Sequence, residues 1–198
     1  MNKTEFDEIV QKPFENEIIE YGIIKGNNTI FFTKAGANGS MCGYEDKYLV
    51  MGCQLHNKYG YTIVCSSNPF ALDETIGQGM DVIEQFVKEP YQVYYFGHSN
   101  GAVMGARNAW KYPQIKRLLL VNGPLILNWH HTKAGAQKFQ GERMVFVYGE
   151  NDISCKYVPM LSLIKNPAVS FHTIPGAEHN FVGMLEEFEN LPEQYLVG

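Results

Sequence analysis

Basic residues are scarce in this sequence and never cluster: 16 Lys and Arg stand against 21 Asp and Glu over 198 residues, a formal net charge of −5. A nucleic acid or an anionic lipid surface is recognised through a concentrated positive face, so neither is expected as a partner. Long apolar runs are missing too. Nothing approaches the roughly 20 residues that cross a bilayer, and the opening Met1-Asn2-Lys3-Thr4-Glu5-Phe6-Asp7-Glu8 is polar and acidic, without the apolar segment or cleavage site of an export signal. A cytoplasmic protein that does not engage membranes is the expectation. Only four cysteines occur, Cys42, Cys53, Cys65 and Cys155, with no close-spaced pair of the zinc-binding or disulfide-exchanging kind. If Cys42 and Cys53 shared one helix they would lie roughly 16 Å apart, too far to bridge. The six histidines are scattered, and the adjacent His130 and His131 diverge on any regular element, so no metal site is expected. A Gly-Lys-Ser/Thr phosphate loop and a Gly-x-Gly-x-x-Gly after a strand are both missing. No cofactor is expected.

What is present is ordinary globular material: 45% hydrophobic and 19% charged residues, enough chain for one well-buried domain over 1–198 and short for two. After an amphipathic leader, segments 17–25 and 29–34 read as strands around the turn Gly26-Asn27-Asn28, predicting an antiparallel hairpin. The pattern then alternates. Helices are expected near 42–58, 71–88, 100–111, within 125–140, 156–165 and 181–189, and strands at 61–66, 91–97, 116–121, 143–149 and 168–174. Leu72, Ile76, Met80, Ile83 and Val87 line one face of the second helix, and Phe181, Met184, Leu185, Phe188 and Leu191 one face of the last. Strands joined by helical crossovers predict a three-layer α/β/α sandwich, a mostly parallel twisted sheet of about seven strands with an antiparallel N-terminal hairpin strand. Ligands in such sheets sit at the carboxyl ends of the strands, so the residues just after each strand carry the functional information.

The most informative of these strand ends is Tyr91-Gln92-Val93-Tyr94-Tyr95-Phe96-Gly97-His98-Ser99-Asn100-Gly101, where a β-branched and aromatic run meets Gly97-x-Ser99-x-Gly101 and then a helix-like stretch of small residues. An abrupt strand-to-helix turn strains the serine backbone and lifts its hydroxyl clear of the sheet, while the flanking glycines allow two backbones to approach. The next helix directs free N–H groups at the same place. The bland alternative is a strand-to-helix turn with an incidental serine.

Two later strand ends complete a set. Strand 143–149 is followed by Glu150-Asn151-Asp152, and strand 168–174 by Pro175-Gly176-Ala177-Glu178-His179. The order Ser99, Asp152, His179 on a strand–elbow–helix scaffold resembles the α/β-hydrolase superfamily, over nearly everything from about residue 17 onward. The resemblance implies Ser99 as nucleophile, His179 as the base that takes its proton, and Asp152 as the acid that orients the imidazole. Asp152 could instead cap the helix after it, and Glu150 is the alternative acid. Some relatives carry the acid one strand earlier, but Asn122-Gly123-Pro124 supplies no carboxylate there. Of the other histidines, His130 and His131 compete with His179 and read better as rim or surface residues.

The resemblance also implies an oxyanion hole built from the N–H of Asn100 and one from Lys34-Ala35-Gly36-Ala37-Asn38-Gly39-Ser40-Met41, with Ala37 preferred to Asn38. That loop lacks the His-Gly start of many relatives, and a plain glycine-rich turn is its bland reading. Asn38, Met41, His98, Pro124 and Trp129 are the candidates for lining the substrate pocket. Only about 18 residues, 125–142, separate two consecutive strands, so no separate cap domain fits. The expectation is a small lidless serine hydrolase acting on a small-molecule ester or thioester. The same triad on this scaffold also serves peptide cleavage, carbon–carbon hydrolysis, lyase or perhydrolase chemistry, and a non-catalytic binding module is a further alternative.

Overall fold

The computed structural model describes residues 4–69 and 75–197. Its centre is an eight-stranded sheet made of β1 (Glu8–Phe14), β2 (Glu17–Ile24), β3 (Asn27–Lys34), β4 (Tyr61–Ser66), β5 (Gln92–His98), β6 (Ile115–Val121), β7 (Arg143–Gly149) and β8 (Val169–Ile174). Their spatial order is β1-β2-β4-β3-β5-β6-β7-β8. From β4 to β8 all neighbours are parallel, while β1–β2 and β2–β4 are antiparallel.

The central strands are apolar along most of their length because both faces are covered. Val93 and Tyr95 of β5, Leu118 and Leu120 of β6, and Met144, Phe146 and Tyr148 of β7 enter one core. The alternate residues Tyr94 and Phe96, Leu119 and Val121, and Val145 and Val147 enter the other. Helices α2 (Ile76–Ile83), α3 (Asn100–Asn108) and α4 (Trp129–Lys138) cover the first face. Helices α1 (Lys47–Tyr59) and α5 (Leu185–Pro192) cover the second. Each large apolar side chain so enclosed contributes about 1.5–3 kcal/mol, which makes the sheet a stiff base for the loops at its edge.

Several expectations are corrected. Strands β2 and β3 do not pair with each other: β4 lies between them, antiparallel to β2 and parallel to β3. The hairpin partner of β2 is β1, formed by the stretch that reads as an amphipathic leader. Its half-exposed edge position explains why Pro13 is tolerated and why its apolar pattern is weak. Cys42 precedes α1, so it and Cys53 do not share a helix. The 71–88 helix is α2 alone; Leu72 lies outside the described residues, and Val87, beyond the helix end, still packs on the core. Residues 153–163 form 3-10 turns interrupted by Pro159. The last helix starts at Leu185 because Phe181 (φ 60°) and Gly183 (φ 76°) hold left-handed conformations.

Candidate active site

The parallel strands end at one edge of the sheet, and the residues after β3, β5, β6, β7 and β8 meet there. Ser99 stands alone between β5 and α3 with φ 54° and ψ −114°, a region that L-residues occupy only under constraint. The constraint is visible on both sides. A β-carbon on Gly97 would lie 2.5 Å from the Gly101 carbonyl oxygen, and one on Gly101 would lie 2.2 Å from the carbonyl oxygen of Lys34 at the end of β3. The Ser99 N–H donates to the Val121 carbonyl (2.8 Å), and Tyr95 donates its hydroxyl to the Gly101 carbonyl (2.8 Å), so the turn is fastened to the adjacent strand and to the sheet below.

Asp152 and His179 are joined directly, carboxylate Oδ2 to imidazole Nδ1. The Asp152 side chain is fully enclosed, whereas that of His179 is 40% exposed, leaving the ring's other edge open to the cleft. Asp152 also caps the turns that follow it: Oδ1 accepts from the Ser154 N–H at 2.6 Å. Capping and orienting therefore coexist on separate oxygens. Burial pushes the Asp152 carboxyl up, but the bonds from His179 and Ser154 outweigh it and hold it below the usual carboxylate range. Glu150, the alternative acid, is exposed and accepts the Gly176 N–H (3.1 Å), bracing the histidine loop from outside.

Residues to which the sequence gives no part in that loop fasten it. Asn122, fully buried at the end of β6, donates through Nδ2 to the carbonyls of Glu178 (3.2 Å) and His179 (2.9 Å), while its Oδ1 accepts the Gly149 N–H (2.8 Å). The histidine loop and the strand leading to Asp152 are thereby tied to one amide. His98 Nε2 lies 2.8 Å from the same His179 carbonyl, and Lys47 at the start of α1 donates to the Asn180 carbonyl (3.1 Å) with its ammonium 4.2 Å from the centre of the Phe188 ring. Burial lowers the Lys47 pKa to about 8, against the opposing charge of Glu178.

The loop after β3 faces the serine. A β-carbon on Gly36 would lie 3.2 Å from Ser99 Cβ and 3.7 Å from its Oγ. The Asn38 N–H is taken by the Asn68 carbonyl (2.8 Å), and the Gly39 N–H by Gly36 (2.9 Å). No hydrogen bond of the Ala37 N–H occurs among the described residues, and the Asn100 N–H belongs to the first turn of α3, where helical partners are lacking. Asn68 joins these two places, donating through Nδ2 to the Ala35 carbonyl (2.9 Å) and to Asn100 Oδ1 (3.0 Å).

A cleft of about 600 Å³ opens here, with Ser99 and His179 in its wall together with Ala37, Asn38 and His98. The rest of its lining combines glycine backbone with polar side chains, including Tyr44, Lys47 and Asn180. Met41, Pro124 and Trp129 do not line it. Met41 and Trp129 pack against the two cores, and Pro124 takes part in a tight turn, accepting the Leu127 N–H at 3.0 Å. His130 and His131 lie in α4.

No family model matches the sequence, and no curated protein matches it. Solved structures do. Est1E from Butyrivibrio proteoclasticus superposes with a TM-score of 0.73 at 14% identity, over 96% of this chain and 97% of that one. Dienelactone hydrolase from Anabaena variabilis gives 0.70 at 13%, over 98% of each chain. A serine hydrolase without a lid from Xanthomonas campestris gives 0.68 at 12%, over 96% and 94%. With the strand order and the strained serine turn, these likenesses establish that the chain has the α/β-hydrolase fold.

Proposed function

We propose that the protein is a serine hydrolase that cleaves a small ester or thioester through an acyl-enzyme on Ser99. The observation that carries this reading is the enclosed Asp152 carboxylate bonded to His179 Nδ1, in the same cleft as a serine held at φ 54°. With Nδ1–H directed at a carboxylate, Nε2 is the nitrogen free to accept a proton. Ser99 Oγ attacks the acyl carbonyl as its proton passes to His179. The Ala37 and Asn100 N–H groups receive the oxyanion, and the imidazolium protonates the leaving alcohol or thiol. Water activated by the same imidazole then releases the acid and regenerates Ser99. The polar cleft wall favours short or polar acyl groups over long lipid chains.

A graded panel of p-nitrophenyl esters and acyl thioesters tests the reading. One or more substrates should turn over, with a stoichiometric burst of p-nitrophenol wherever deacylation is slow. Ser99→Ala should lower that turnover by roughly 10⁴- to 10⁶-fold while the fold persists. Turnover that survives in Ser99→Ala would overturn the assignment.

A further inference from the structure

We propose that His98 and Tyr48 form a strut that positions the catalytic histidine and ties it to the oxyanion loop, a role that rests on the serine-hydrolase reading above. The hydrogen-bond directions are forced. The His179 carbonyl can only accept, so His98 Nε2, 2.8 Å away, must carry a proton. In the neutral ring His98 Nδ1 is then bare, and the Tyr48 hydroxyl at 3.0 Å donates to it. The Gly36 backbone lies beside the Tyr48 hydroxyl and acts on it electrostatically. One directional chain therefore runs from Tyr48 through His98 to the backbone of His179, and it starts beside Gly36, which faces Ser99 across the cleft.

Its surroundings suit a fixed element. His98 is 4% exposed and Tyr48 3%, so water does not compete for these bonds. Burial, with the nearby Lys47 charge adding to it, pushes the His98 pKa down to about 3, and the ring stays neutral with its donor and acceptor roles unchanged over the working range. The groups facing it are Tyr48 and Lys47 of α1, His179 and Asp152 of the strand-end loops, and the ring of Phe188 in α5. Because His98 directly precedes Ser99, the nucleophile and the base are linked by a single peptide, one imidazole and one hydrogen bond. A displacement of about 1 Å between such groups costs on the order of 10²-fold in rate.

The His179 carbonyl also accepts from Asn122, so removing the His98 donor does not leave it unpaired. The consequence falls on placement of the base. His98→Leu, His98→Gln and Tyr48→Phe test this with p-nitrophenyl acetate, with kcat and KM measured separately and thermal melting followed in parallel. His98→Leu should lower kcat roughly 10- to 100-fold with KM changed less than about threefold. His98→Gln, whose amide N–H reaches the same carbonyl, should recover most of the loss. Tyr48→Phe, which frees the imidazole tautomer, should cost about 3- to 10-fold. A folded His98→Leu with kcat within twofold of the parent would overturn the strut, and so would a His98→Gln as impaired as His98→Leu, since packing would then be the cause. Should His98→Leu not fold, Tyr48→Phe decides, because it keeps the ring against Phe96 and Phe188, and an unchanged kcat there also overturns the proposal. A parent protein inert to every ester and to fluorophosphonate would overturn the serine-hydrolase reading, and the strut with it.

Discussion

The two loops that face Ser99 are held by opposite means. The loop after β3 is held mainly by backbone bonds, within itself and to the loop after β4: Asn38 N–H to the Asn68 carbonyl, Gly39 N–H to Gly36, and Asn68 N–H to the Gly39 carbonyl at 3.0 Å, with one side-chain bond from Asn68 to the Ala35 carbonyl. The loop after β8 depends on side chains from elsewhere, with successive carbonyls of Glu178, His179 and Asn180 held by Asn122, His98 and Lys47. Backbone closure leaves the N–H of Ala37, a residue of the cleft wall, without a hydrogen bond among the described residues. Side-chain closure fixes one imidazole in place, and makes its position depend on three residues distant in sequence.

The contrast is broken most forcibly at Asn122. Asn122→Ala removes both bonds to the histidine loop and leaves the buried Gly149 N–H without its acceptor, an expected loss of about 2 to 3 kcal/mol and about 10- to 100-fold in kcat/KM. Urea unfolding and ester kinetics read the two effects. Asn68→Ala, in the loop after β4 that backs the other loop, keeps the backbone bonds to Asn38 and Gly39; it deletes the Nδ2 bonds to Ala35 and Asn100, and with them a buried Oδ1 that has no partner among the described residues. Its cost should be nearer about 1 kcal/mol and less than about tenfold in rate. Equal penalties at the two positions would erase the distinction.

Acid sharpens it further. His98 titrates near 3 in the fold and near the ordinary histidine value of about 6.5 when unfolded. Between those values the unfolded chain binds a proton that the folded chain does not, so stability falls as pH drops from about 6.5 toward about 3. Asp152 is held below its ordinary value, so its contribution is complete above about pH 4 and is lost as pH falls through the depressed folded value. His98→Gln should flatten the upper window of a denaturation series against pH, and Asp152→Asn only the lower one.

The parts legible in the sequence are those that chemistry concentrates locally. Gly97-x-Ser99-x-Gly101 states its own strain, and strands β5 to β7 state their burial by the apolar runs at their centres. Asp152 and His179 stand out in the sequence because each lies in the loop after a strand, and their side chains meet in the structure. In the sequence Asn122 marks only the absence of a carboxylate, and Tyr48 and Lys47 carry no signal of their own within the helix expected near 42–58. Their roles come from hydrogen bonds to residues far along the chain, which no local pattern encodes. The β2–β3 error has a similar origin: Gly26-Asn27-Asn28 looks like a hairpin turn, but pairing is decided by β4, which inserts between the two strands. The substrate-pocket candidates Met41, in a loop, and Trp129, at the start of α4, pack against the cores, because a large apolar side chain near a strand end can turn inward instead of to the cleft.

The central claim is that Ser99 is the nucleophile, and the most direct test is mass spectrometry of the protein after reaction with a fluorophosphonate. One adduct per chain is expected, carried by the peptide containing Ser99, abolished by Ser99→Ala and strongly slowed by Asp152→Asn. An adduct on another residue, or labelling that persists in Ser99→Ala, would contradict it.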